Sequence, residues 1–303
     1  MKKVIVTGAN GFVGSNLVKK LLSEGIEVIS VDLPQSSNNI PSGSRFVSSD
    51  FSDLNKLFDE INSADGDIDA LYHFAWRGVN GPDKNDPYIQ LNNLKIMLDA
   101  ASLAKKLSCK KFLCAGTVAE QSIKSLSHLD KSNPGIMYGT FKHSANIILE
   151  SYCKTIGLNF VWMQFSNIYG PSNKTGNILS YTINQINNDM PALFGPADAM
   201  YDFIFINDLI EAIYRIGCID NRKNFYFVGS GSPRLLKEYL QELGQLLNKQ
   251  DLIKIGAREG DGVVYTSDMF DSSELTAEIG DYVSTPFSKG VLTLVNLGKG
   301  TII

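Results

Sequence analysis

Val4-Ile5-Val6-Thr7-Gly8-Ala9-Asn10-Gly11-Phe12-Val13-Gly14 decides the fold, because a β-branched run breaks there on a glycine turn from which a helical pattern emerges. Apolar side chains at helical spacing continue to Ser23, and a second β-branched run covers 28–32. In such a strand, turn and helix, Gly8 permits the sharp turn and Gly11 lets the backbone approach a pyrophosphate. Gly14 lets the helix pack on the strand, while Asn10, Phe12 and Val13 complete the loop. The helix start then offers unpaired N–H groups and a positive dipole end to an anion. A glycine-rich loop by itself is as often a structural turn as a phosphate cradle. Asp32, about 20 residues further on, adds a carboxylate placed to accept both hydroxyls of an adenosine ribose and to repel a 2′-phosphate. That favours NAD over NADP, the alternative being a solvated acid at a strand end.

Outward from this unit the same alternation continues. Strands are predicted at 45–48, 70–74, 111–115 and 160–165, with helices at 54–61, 91–107 and 138–156. The pattern predicts an α/β fold, a Rossmann-type doubly wound parallel sheet covered on both faces. Asp50 and Phe51 follow the third strand where an adenine would lie, although Asp50 or Ser52 suits a helix cap equally well. After about residue 167 the rhythm changes and turn-rich stretches appear. The expected division is therefore an NAD-binding domain over 1–166 and a smaller α/β substrate lobe over 167–303. A strand at 203–206 and a helix at 208–216 are expected to return to the sheet, giving the first domain a segment near 201–216.

Composition narrows the function. The chain has 303 residues, is 44% hydrophobic and carries a net charge of -4, which is enough for a large core and is not the footprint of a nucleic-acid binder. No basic run marks a membrane surface, and no apolar run approaches the roughly 18 residues of a membrane span. The start Met1-Lys2-Lys3 is followed by an apolar run cut short at Thr7-Gly8, so no secretory leader is expected. Four cysteines without ligand-like spacing fit a reduced, cytoplasmic protein. The histidines, His73, His128 and His143, lack metal-ligand spacing, so no metal site is expected.

Tyr138-Gly139-Thr140-Phe141-Lys142 sets a phenol and an ammonium four residues apart, on one helical face. About one such pair arises by chance in a chain of this composition, so position and chemistry must carry the argument. To act as a base near neutral pH the phenol must fall by roughly three pKa units, or about 4 kcal/mol. An exposed helical ion pair supplies only about 0.3–0.5 kcal/mol. Lys142 therefore suffices only in a desolvated cleft, with a positive nicotinamide ring adding to its field. On that expectation Lys142 holds the nicotinamide ribose and lowers the phenol's pKa.

These residues resemble the extended short-chain dehydrogenase/reductase family, especially its nucleotide-sugar epimerases, dehydratases and 4-ketoreductases, over nearly the whole chain. The resemblance is carried, in order, by Thr7 to Gly14 (TGxxGxxG), His73-Phe74-Ala75 after the fourth strand, and Tyr138 to Lys142 (YxxxK). It continues with Asn167-Ile168-Tyr169-Gly170-Pro171, with Asp202-Phe203-Ile204 followed by Asn207-Asp208-Leu209, and with Arg258-Glu259-Gly260-Asp261. It implies that NAD is the cofactor, with Ala75 lining it and Phe165 near the nicotinamide. It implies a nucleotide-diphosphate sugar held by Asn167 and Arg258, whose guanidinium fork suits phosphate oxygens; a surface arginine in a loop is the plainer alternative. Members usually dimerise through two helices, here 92–107 and 138–156, so a homodimer is implied. Ile147, Ile148 and Tyr152 would serve that face, or the core.

The departures are specific. The family's catalytic Ser/Thr aligns with Ala115, which has no hydroxyl, and Thr117 two positions later is the available one. A family variant written GAGSxAEYG has its hydroxyl where Thr117 stands, so Thr117 is taken as the third catalytic residue beside Tyr138 and Lys142; capping of local backbone is its other reading. The dehydratases' acid pair would fall on Gly116-Thr117, which disfavours dehydration. Tyr201 and Gln164 stand where the family often has arginine, and Trp76-Arg77 offers compensating stacking and charge. The leading expectation is a 4-epimerase or 4-ketoreductase of nucleotide sugars. The rival from another class is an NAD-sensing binding protein without catalysis, motivated by Ala115 and Tyr201.

Overall fold

In the computed structural model, residues 1–34, 39–62, 67–125, 134–173, 176–260 and 262–299 are described, so His128 and Asp261 lie outside the described residues. In chain order the elements are β1 (Lys3–Thr7), α1 (Phe12–Ser23), β2 (Glu27–Asp32), β3 (Arg45–Ser48), α2 (Leu54–Asn62), β4 (Ala70–His73), α3 (Pro87–Lys106), β5 (Lys111–Thr117), α4 (Pro134–Ile156) and β6 (Phe160–Phe165). There follow β7 (Asn167–Tyr169), α5 (Ile178–Asn187), β8 (Ala192–Leu193), β9 (Met200–Tyr201), β10 (Phe203–Phe205), α6 (Ile206–Cys218), β11 (Phe225–Val228), β12 (Arg234–Leu235), α7 (Leu236–Leu246), β13 (Ile253–Lys254), α8 (Ser273–Ile279) and α9 (Phe287–Lys299).

Seven strands form one sheet in the order β11-β6-β5-β4-β1-β2-β3, every pair parallel. The strands are apolar on both faces, as a doubly covered sheet requires: β1 and β6 are buried throughout. The chain reverses its winding between β1 and β4, and a doubly wound sheet opens its ligand crevice at that place, at the carboxyl ends of the strands. The Rossmann-type α/β fold is thus the one expected.

Two expectations are corrected. The strand at 203–206 does not return to the large sheet; β10 pairs with β7 in a two-stranded sheet of its own. The strand that does return is β11, which pairs with β6 from Phe225↔Trp162 to Val228↔Phe165. It is short and follows the polar stretch Asp220 to Asn224, so it carries little periodicity. The helix that follows, α6, packs against α1. Both long helices also begin earlier than periodicity predicts, each on a proline, whose missing N–H costs nothing at a first helical position. At α3 the Asp86 side chain caps the start by accepting from the Tyr88 and Ile89 amides at 2.9 and 3.1 Å.

Beyond residue 167 the two-stranded sheets β7/β10, β8/β13 and β9/β12 are joined by α5, α7 and α9. Their shared core is aromatic: the Tyr239 ring lies 4.9 Å from Phe203 and 4.7 Å from Phe287, both edge-on, the favourable arrangement for ring quadrupoles. Among the described residues no helix is long and apolar enough to cross a membrane. All four cysteines are unpaired.

Candidate active site

The glycine loop is as tight as its sequence demands. Gly8 has φ +67°, and a Cβ there would stand 2.6 Å from the Ala75 amide nitrogen; at Gly14 it would stand 2.1 Å from the Gly8 carbonyl oxygen. The loop after β4 therefore crosses directly over Gly8, bringing Ala75 to the nucleotide crevice. Asp32 is anchored by the loop it follows, since Oδ2 accepts from the Asn10 amide and Oδ1 from the Leu33 amide, each at 2.8 Å. A carboxylate has about four lone-pair sites, so two remain for ribose hydroxyls. Asn10 also reaches outward, its Oδ1 accepting from the Asn39 amide at 2.8 Å. These features fit a dinucleotide: a cradle without Cβ atoms, a helix start beneath it and a partly exposed acid at the next strand end.

Asp50 and Phe51 are placed differently from this group. The Asp50 carboxylate accepts from the Ser52 amide at 2.9 Å, and its bonds to Ser52 hold its pKa below the ordinary value. Phe51, with φ +64°, turns its ring inward, edge-on to His73 at 6.0 Å. Neither residue lines the central cavity, so the structure does not bring them together with the glycine loop and Tyr138.

That cavity, of about 820 Å³, is lined by Gly8, Gly11, Phe12, Val13 and Gly14 on one side. Ala115, Thr117, Tyr138, Lys142, Phe165 and Asn167 line it on another. One space thus gathers the glycine loop, the three residues expected to be catalytic and two of the others. Phe165 is buried with its ring 6.2 Å from Phe74. Asn167 is braced by its own Nδ2, which donates to the Asp202 carbonyl at 3.1 Å. Arg258 lines an adjoining cavity of about 510 Å³, with its guanidinium 5.8 Å from the Tyr181 ring. Ile178, Tyr201, Val263 and Tyr265 line both spaces, so the two are neighbours.

At the catalytic end, Thr117 and Tyr138 line the same cavity, while Ala115 contributes its carbonyl, which accepts from Lys142 Nζ at 2.8 Å. The position that the family fills with a hydroxyl is thus used here through its backbone. Lys142 is 4% exposed and stands 3.8 Å from the Trp76 ring centroid, so Trp76 acts through its face as a cation partner. The Trp76 Nε1 donates to Gln90 Oε1 at 2.9 Å, which fixes that ring. Arg77 turns away and pairs with Asp83 at 3.4 Å. Burial lowers the Lys142 pKa to about 8, against the opposing pull of Glu120.

The lowering of the phenol's pKa expected of Lys142 is not delivered by the chain alone. Burial pushes Tyr138 above its ordinary value; the Thr117 hydroxyl draws it down and the Glu120 charge adds to the rise. His73 is no catalyst either. Its Nδ1 meets the Thr7 hydroxyl at 2.9 Å, and burial drops its pKa to about 3.

Sequence reasoning missed Glu120 and Lys84. Glu120 is 3% exposed, with Oε1 accepting from the Thr117 amide at 2.6 Å and Oε2 from Trp162 Nε1 and Gln164 Nε2 at 3.2 and 3.0 Å. The sequence signal was the acid of the GAGSxAEYG variant, which falls on Glu120 three residues after Thr117 and was given no role. Lys84 lines the central cavity with its ammonium 5.3 Å from the Tyr138 ring centroid, has no carboxylate partner among the described residues, and is lowered in pKa by burial. It sits in a single 3-10 turn, Pro82–Asn85, which no periodicity marks.

This arrangement has relatives. The chain is 24% identical over 245 residues to a putative UDP-glucose 4-epimerase of Methanocaldococcus jannaschii, covering 78% of this chain and 79% of that one. It is 25% identical over 266 residues to the dTDP-4-dehydro-6-deoxyglucose reductase of Escherichia coli, covering 82% and 83%. Among solved structures, the dTDP-glucose 4,6-dehydratase of Bacillus anthracis in complex with NAD superposes with a TM-score of 0.80 at 20% identity, over 100% of this chain and 98% of that one. Residues 4–225 match the model of one family, and with the glycine loop, the ordered strand ends and the tyrosine–lysine helix on the page this chain belongs to it: the NAD dependent epimerase/dehydratase family, enzymes of nucleotide sugars with NAD as cofactor.

Proposed function

We propose that this enzyme is a nucleotide-sugar 4-epimerase or 4-ketoreductase, acting as a cytoplasmic homodimer. The observation that carries the reading is the gathering of Thr117, Tyr138 and Lys142 in one cavity with the glycine loop. Bound NAD supplies a hydride acceptor or donor. Tyr138 takes the proton from the sugar hydroxyl, or returns it, and Thr117 hydrogen-bonds the same oxygen. Lys142 holds the nicotinamide ribose, and Trp76 shields it from water. Asp32 accepts the adenosine ribose hydroxyls, Asn167 holds the sugar, and Arg258 in the adjoining cavity pairs with a phosphate.

Dehydration has less support. A side chain at position 116 would collide with Trp162, whose Nε1 lies 2.3 Å from an added Cβ, so no acid fits there. The nearest carboxylate, Glu120, has both oxygens engaged by donors. A purely sensing role keeps the motive given by Tyr201 and loses part of that given by Ala115, because Thr117 offers a hydroxyl in the same cavity.

The homodimer rests on α3 and α4, which pack side by side and leave Leu91 and Ile147 each 56% exposed. Tyr152 does not share that face: its phenol meets the Ser102 hydroxyl between the two helices at 2.9 Å. Four unpaired cysteines fit a reducing compartment.

Incubation with a panel of UDP-, dTDP- and CDP-sugars and their 4-keto derivatives tests the reading. A C4 epimer formed without net change in NADH identifies the epimerase, and NADH consumed by a 4-keto sugar identifies the reductase. A 4-keto-6-deoxy product formed from a hexose by loss of water contradicts both.

A further inference from the structure

Lys84 is a cation that the reaction as described does not use. It lines the central cavity with its ammonium 5.3 Å from the Tyr138 ring centroid. The loop that carries it is braced by Gln90, buried on α3. Gln90 Nε2 donates to the Gly78 and Asp83 carbonyls at 3.0 and 3.1 Å, and its Oε1 accepts from Trp76 Nε1 at 2.9 Å, so one side chain ties both arms of the loop. Gly78, at φ +72°, lets the arms close, because a Cβ there would stand 2.6 Å from the Asp83 carbonyl oxygen. Trp76, on the first arm, meets the Tyr138 ring edge-on at 6.1 Å, which locks the loop to the phenol.

The Lys84 charge has no counter-ion among the described residues. The acids beside it in sequence are engaged elsewhere: Asp83 pairs with Arg77 at 3.4 Å, and Asp86 accepts from the Tyr88 and Ile89 amides. The charged side chains among the described residues that line the central cavity are Lys84 and Lys142, with no carboxylate between them. Lys142 is occupied, since its Nζ donates to the Ala115 carbonyl at 2.8 Å and faces the Trp76 ring. An oxidised nicotinamide in the same space would be a third positive charge. A half-buried ammonium gives up hydration, which lowers the Lys84 pKa, and a phenol ring at 5.3 Å returns little of that loss. An anionic group arriving with the substrate would return much more.

The diphosphate is not that group. Arg258 lines the adjoining cavity and not this one, while Lys84 lines this one and not the other, so the two cations serve different parts of the ligand. Lys84 stands at the phenol, beside the carbon that reacts. With Tyr138 at the C4 hydroxyl, the exocyclic carbon next to it is C6, carried on C5.

We propose that Lys84 is a specificity-determining residue that binds a carboxylate at C6 of the sugar, so that the preferred substrate is a nucleotide-diphosphate uronate. This rests on the reading of the chain as an enzyme acting at C4 of a nucleotide sugar, and narrows it.

Isothermal titration calorimetry of the NAD-loaded protein with matched pairs tests the proposal: the glucose and glucuronate, and the galactose and galacturonate, of UDP, dTDP and CDP in turn. On the nucleotide bound most tightly, the wild type should bind the uronate about tenfold or more tighter than the matching hexose, and Lys84→Gln should bring that ratio to about one. If Lys84→Gln does not fold, Lys84→Met is read in its place. A wild type that binds hexose and uronate alike, or a preference that survives in the variant, overturns the proposal and leaves the reading beneath it standing. A wild type that binds none of these sugars overturns both.

Discussion

At the scale of single residues, Ala115 lends a carbonyl to Lys142 at the position the family fills with a hydroxyl, and Thr117, two positions on, lines the same cavity as Tyr138. Tyr138→Phe should lower kcat on the order of 1,000-fold while leaving NAD affinity near wild type, measured by turnover and by nucleotide titration. Thr117→Val should lower kcat about 100-fold through loss of one donor at the sugar oxygen, and Ala115→Ser should restore little of it, because the Lys142 bond is made by backbone. The tyrosine, the lysine and the glycines were legible in the sequence because their chemistry requires fixed spacings. Thr117 was legible only as a choice between two aligned positions, of which it alone carries a hydroxyl. Glu120 was legible only as a motif letter without a role and Lys84 not at all, since both owe their character to desolvation by residues distant in sequence.

At the scale of elements, the glycine loop is the least tolerant. Gly14→Ala must force the start of α1 away from the Gly8 carbonyl, which should cost about 1–3 kcal/mol of stability in denaturant unfolding and weaken NAD binding together. By contrast, α3 and α4 each leave apolar residues exposed, so Leu91→Glu with Ile147→Glu should yield a folded monomer by analytical ultracentrifugation; a wild type that is itself monomeric would contradict the dimer. Strands with a doubly buried, β-branched composition were readable, and so were α1 to α4 and α6, whereas α5, α7, α8 and α9 were not read. The short pairings were not: β10 and β11 are similar apolar runs, and which one joins the large sheet depends on where α6 carries the chain.

At the scale of the molecule, the nucleotide crevice lies where the winding reverses, and the buried groups beneath it set the acid limit of stability. His73 is neutral in the folded protein, with a pKa of about 3 against about 6.5 unfolded. The unfolded chain therefore binds the extra proton, and this contribution to stability, full above about pH 6.5, drains away as pH falls toward 3. His73→Gln should flatten the fall of Tm between about pH 6 and pH 4 relative to wild type, as scanning calorimetry would show. The central claim, that Tyr138 moves the sugar proton beside bound NAD, is tested most directly by rapid mixing of the NAD-loaded protein with the nucleotide sugar it turns over, following reduced nicotinamide by absorbance. A transient in wild type that disappears in Tyr138→Phe is the predicted result, and a transient of equal rate and amplitude in both proteins would contradict it.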